Sequence, residues 1–160
     1  MVSPLRFFAL TGLLTLVATG WQWSRSTVVH AAVPSSDAQD VAEPVEPDMH
    51  EFMEYVFQPT FRRLKQAMAG TPADNQAWKS IKADSLILAE GGNLLLIRPS
   101  EDDAADWVKH SVEVRDFGGQ LYRAAKAKDE QLARKHYEAM VQNCNACHEQ
   151  FAGGEHMLTP

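Results

Sequence analysis

From Asp48 onward, apolar side chains recur at intervals of three and four residues through four successive segments, and no stretch alternates with a convincing two-residue period. That spacing places one apolar stripe on each of four helices. Each stripe has to be buried against the others, so the expected fold class is all-α. The connections are short, which makes sequential helices antiparallel and gives an up-and-down four-helix bundle over residues 48–154.

The first segment, about Asp48 to Ala69, carries Met49, Phe52, Met53, Val56, Phe57, Phe61, Leu64, Ala67 and Met68. Pro59 lies inside it and predicts a kink near Tyr55, because proline removes a backbone bond and clashes one turn back. The second follows Thr71-Pro72-Ala73-Asp74, with Thr71 as the expected N-cap and Pro72 at the first helical position. Its stripe is Trp78, Ile81, Leu86 or Ser85, Leu88, Ala89, Leu95 and Leu96, interrupted at Gly91-Gly92 and ended by Arg98-Pro99. The third is expected to start at Ser100-Glu101-Asp102-Asp103 and to run through Trp107, Val108, Val112, Val114, Phe117, Leu121, Tyr122 and Ala125 to about Lys128. The purpose of its Gly118-Gly119 pair is not legible. The fourth runs from Asp129 to a stop before Gly153-Gly154. Its inward face is Ala133, Tyr137, Met140, Cys144, Cys147, His148 and Phe151.

What precedes the bundle is of a different kind. Arg6 is followed by an apolar run from Phe7 to Ala18 and then by small residues around Val29-His30-Ala31-Ala32. This order describes a secretory signal peptide over 1–32, the apolar run being shorter than the roughly 20 residues of a spanning helix. An uncleaved N-terminal anchor is the competing reading. Residues 33–47 are rich in proline, serine and acids and are expected to form a disordered linker. Residues 155–160 read as a C-terminal tail. Export implies a periplasmic location and, once the signal is removed, no membrane span. Removal of the leader leaves 13 basic against 21 acidic side chains, a net charge of −8. Such a surface argues against nucleic acid and anionic membranes and suits a basic redox partner protein.

Cys144-Asn145-Ala146-Cys147-His148 matches the pattern Cys-x-x-Cys-His, by which c-type haem is attached. On a helix, positions i and i+3 share a face, so both thiols reach one porphyrin and form thioethers. His148 follows directly and is placed to give an imidazole nitrogen to the iron. The expected cofactor is therefore one covalent haem c, held by Cys144 and Cys147 with His148 as proximal ligand. A redox disulfide would ordinarily accompany a βαβ pattern, which is absent, and a zinc site would need a second ligand pair.

In an up-and-down bundle the end of the fourth helix lies beside the start of the first. That puts Met49, His50 and Met53 near the haem's other face, with His110 a further candidate on the third helix. Met53, where two inward rows meet, is the favoured distal iron ligand, although a methionine on an apolar stripe is commonly a packing residue. Gly91 and Gly92 could admit a porphyrin edge, Arg98 and Lys109 could meet propionates, and Trp107 is expected in the pocket wall or core. His136 and His156 receive no role. No acid–base group beyond His50 is near, so an enzyme is not expected.

These features resemble the class II c-type cytochromes, the cytochrome c′ family. The likeness rests on an exported chain, four helices over about Asp48 to Gly153, and Cys144-x-x-Cys147-His148 close to the C-terminus rather than near the N-terminus. It implies a four-helix bundle, often a homodimer, with His148 proximal. In one group of members a methionine of the first helix closes the sixth position and the protein carries electrons; Met53 lies where that methionine would be expected. In another the iron is five-coordinate and binds nitric oxide or carbon monoxide, which here would meet an open face lined by Met49, Phe52, Met53 and Val56. The five-coordinate members usually have a basic residue shortly after the proximal histidine. This chain has Glu149-Gln150-Phe151-Ala152 there.

Overall fold

The structure, a computed structural model, describes residues 42–160. The expected signal peptide, and the expected linker up to residue 41, lie outside the described residues. Helix α1 begins at Asp48, whose carboxylate accepts from the Glu51 amide at 2.9 Å. It runs through Met49–Phe52, a π-helical stretch Met53–Phe57, and Gln58–Met68. Where a kink was expected, near Tyr55, the helix carries that π stretch. Pro59 supplies no N–H and crowds the preceding turn, and a widened turn accommodates it without breaking the helix.

Helix α2 is Asn75–Leu96. Its cap is Asp74, whose carboxylate accepts from Ala77 N at 2.8 Å. Thr71 is not the cap; its hydroxyl donates to Glu130 Oε1 at 3.0 Å. Helix α3 is Ala104–Ala127. It starts later than expected, because Ser100 Oγ accepts from Asp102 N in a local turn and Asp103 is left-handed, with φ 45°. Helix α4 is Glu130–Phe151, capped by Asp129 as expected, with its carboxylate accepting from Leu132 N at 2.9 Å. It stops before Gly153 and Gly154, both at positive φ.

Contacts between the helices give their directions. Arg63 meets Asp84 and Phe57 meets Gly91 between α1 and α2. Gly118 faces Ala89 and Trp107 Nε1 donates to Leu95 O between α2 and α3. His110 meets Asn143, and Asp106 meets Gln150, between α3 and α4. Phe61 stacks on Tyr137, and Arg134 donates to Met68 O, between α1 and α4. In each pair the numbering rises on one helix as it falls on the other, so the four packed helices are antiparallel neighbours. No strand occurs among the described residues, and no helix among them is long and apolar enough to cross a membrane.

Leu64, Ile81, Leu121 and Met140 fill the centre, all essentially inaccessible to solvent. A second cluster, Phe52, Leu95, Trp107 and Cys147, lies at the end where α4 terminates. The α2 stripe passes through buried Ser85, leaving Leu86 exposed. On α3, His110, Ser111 and Gly118 are buried while Val108 is half exposed. Gly118 explains itself here, since a Cβ on it would lie 3.0 Å from the Ala89 backbone. Small and polar residues on the inward face let these two helices approach closely.

Candidate functional site

The last helix brings its three motif residues to one cavity of about 430 Å³, within the range that takes cofactor-sized ligands. Cys144, Cys147 and His148 line it from α4, and Met49, His50 and Met53 from α1. Phe57, Leu88, Trp107, Met140 and Phe151 supply apolar wall. Trp107 and Phe151 meet edge to face with centroids 5.2 Å apart, which fixes that side.

Both thiols are free. Burial pushes the Cys144 thiol up to about 12, with neighbouring Cys147 adding to it, and pushes Cys147 up to about 11. Both are therefore neutral S–H groups at ordinary pH. A reactive redox cysteine needs the opposite, a depressed pKa that yields thiolate. The His148 ring is held below its ordinary value, chiefly by burial, while its bond to the His156 main chain opposes the shift. A neutral imidazole with a lone pair is the form that can coordinate a metal.

Met53 is partly buried, lines the cavity and begins the π stretch of α1. Met49 and His50 share the wall. His110 does not reach the cavity. Its ring is buried between Asn143 Oδ1 at 3.0 Å and Gln150 Oε1 at 3.2 Å, a bridge between α3 and α4. Phe52 is buried outside the cavity lining, and Val56 also stands outside it.

The residues expected at the porphyrin edge have other employment. Arg98 is buried behind the wall, donating to Glu46 O at 3.0 Å and Leu94 O at 2.7 Å. Lys109 is exposed and does not line the cavity. Gly91 makes room for Phe57, whose Cζ would lie 2.7 Å from an added Cβ, and Gly92 lets the α3 backbone approach. The charged and polar lining is instead His50, Glu54, Gln58, Glu155 and His156, besides His148. His50 and His156 stand with ring centroids 6.4 Å apart.

Sequence reasoning missed the tail. Asn145, inside the motif, donates to Leu158 O at 2.9 Å and accepts from Leu158 N at 2.7 Å. His156 offers its main-chain oxygen to His148 Nδ1 at 3.0 Å. Glu155, His156 and Leu158 all line the cavity. The available signal was the apolar pair Met157-Leu158 in an otherwise polar end, of which Leu158 is the one that packs inward while Met157 is exposed.

Two thiols one turn apart with an adjacent imidazole, against an apolar cavity, form a donor set that fits covalent haem attachment. Among the described residues no three His, Cys, Asp or Glu side chains are grouped to hold a bare metal ion. Comparison of the chain with protein-family models, with curated proteins and with solved structures finds no match in any of the three.

Proposed function

We propose that this chain is an exported c-type cytochrome that carries electrons through one covalently bound haem. The observation that carries the reading is the meeting, in one apolar cavity, of Cys144, Cys147 and His148 from α4 with Met53 from α1. Cys144 and Cys147 would hold the group by thioethers, His148 would give it a neutral imidazole nitrogen, and Met53 its thioether sulfur. The haem, when bound, supplies one-electron redox chemistry at its iron. The protein does the rest. Phe57, Leu88, Trp107 and Phe151 would give the group an apolar wall, which lowers the local dielectric on that side. A thioether on one side favours the reduced metal and raises the potential. The helices hold both side chains on packed backbone, so little has to move when the charge changes. The acidic surface suits a basic redox partner.

The test is to export the protein in a host with haem-maturation machinery and record absorption spectra with and without carbon monoxide. A low-spin spectrum indifferent to carbon monoxide supports the carrier, and Met53→Ala should then convert it to high spin. High-spin iron that binds carbon monoxide would replace the carrier with a gas-binding function. Absence of covalent haem would refute both.

A further inference from the structure

Residues 155–160 do not trail away from the bundle. Gly153 and Gly154, at φ 61° and 76°, turn the chain back, and Gly154 N donates to His148 O at 3.1 Å. The returning segment is then fastened at three points. Asn145 grips Leu158 through both halves of its amide, Lys65 donates to the Thr159 hydroxyl, and Leu158 packs against the main core. Between the turn and these fastenings, His156 is held at φ 59°. A left-handed conformation is unfavourable for a non-glycine residue, so the surrounding contacts must impose it. Its main-chain oxygen is thereby presented to His148 Nδ1 at 3.0 Å.

We infer that residues 155–160 form a strap that positions His148, with the His156 main-chain oxygen fixing the imidazole tautomer. A carbonyl oxygen can only accept, so Nδ1 must carry the proton. The lone pair then belongs to Nε2, and the ring cannot turn over without breaking the bond. Asn145 is the latch: it sits between the two cysteines and sets the register of the strap. The consequence for a bound haem rests on the reading of His148 as its ligand. A hydrogen bond to the far nitrogen makes an imidazole a stronger donor, which favours oxidised metal.

The tautomer can be read without any cofactor. The full chain lacking its leader, expressed without haem maturation and labelled with ¹⁵N-histidine, is examined at pH 8 by long-range ¹H–¹⁵N correlation. His148 is expected as the Nδ1–H form. A chain ending at Gly154 should shift toward Nε2–H, with helical circular dichroism retained. If that chain does not fold, Asn145→Ala releases the latch with the strap still present and should move the tautomer in the same direction. His156→Gly keeps the main-chain oxygen and should leave it unmoved. An Nε2–H signal in the full chain, or a tautomer indifferent to both truncation and Asn145→Ala, overturns the strap. In haem-loaded protein, truncation should raise the reduction midpoint. If haem never attaches, the proposed function falls and the tautomer result still decides the strap. If haem attaches and neither tautomer nor midpoint responds, the strap alone falls.

Discussion

The Arg98 guanidinium lies 3.8 Å over the ring of Phe52, with its nitrogens bound to the main-chain oxygens of Glu46 and Leu94. It ties the segment before α1 to the end of α2, directly behind the cavity wall. Its charge is satisfied by two carbonyls and an aromatic face. Arg98→Ala should therefore cost about 1–3 kcal/mol in urea unfolding, by removing a buried side chain that packs on Phe52 and ties two main-chain oxygens together. The reduction midpoint of loaded protein should barely change, since Arg98 does not line the cavity. A large midpoint change with intact stability would contradict this placement.

Gly92 and Gly119 should answer oppositely to alanine. A Cβ at Gly92 would lie 2.6 Å from Arg115 N and 2.8 Å from Ser111 O, so α2 and α3 would have to separate. Gly92→Ala is expected to destabilise by about 1–3 kcal/mol. At Gly119 the nearest atom is the end of the Arg123 side chain, at 3.3 Å, which can swing aside. Gly119→Ala should stabilise by about 0.5–1 kcal/mol through helix propensity. Denaturant midpoints of the two variants check the contrast.

The cofactor-free fold should lose stability on both sides of neutrality. Burial holds the Cys144 and Cys147 thiols protonated to about 12 and about 11, against an ordinary 9.0. Unfolded chains release those protons first, so this contribution is complete below pH 9 and is lost as pH rises through the folded values. His148 and His136 are held below 6.5, chiefly by burial. Their contribution is complete above pH 6.5 and is lost as pH falls and unfolded histidines take up protons. Urea midpoints measured across pH 5 to 11 should therefore decline at both ends. Alkylation of the folded chain by iodoacetamide should be slow at pH 8 and accelerate toward pH 11. Fast alkylation at pH 8 would mean that the thiols are not buried as described.

The stripe of α4 was legible because Tyr137, Met140, Cys144 and Cys147 recur at steps of three and four and Asp129 has no rival as its cap. The starts of α2 and α3 were not. Thr71 and Ser100 look like caps, but Asp74 offers a stronger acceptor closer to the apolar run, and Ser100 is used up in a turn. Pairing by charge misled at Arg98, because a guanidinium can be satisfied by carbonyls that leave no mark in the sequence. Gly118 was opaque because its reason lies on another helix, at Ala89. The cavity itself was foreseeable from antiparallel topology, which carries the end of α4 to the start of α1. The strap was not, since its hold depends on main-chain atoms of His156 and Leu158.

The central claim is covalent attachment at Cys144 and Cys147. The direct measurement is the mass of the protein under denaturing conditions, after expression with export and haem maturation, for the natural chain and for the double variant Cys144→Ser with Cys147→Ser. The natural chain should carry the added mass of one haem that denaturation does not release. The variant with both cysteines replaced should carry none. A natural chain that runs at the bare polypeptide mass, or haem that persists without both cysteines, would contradict the account.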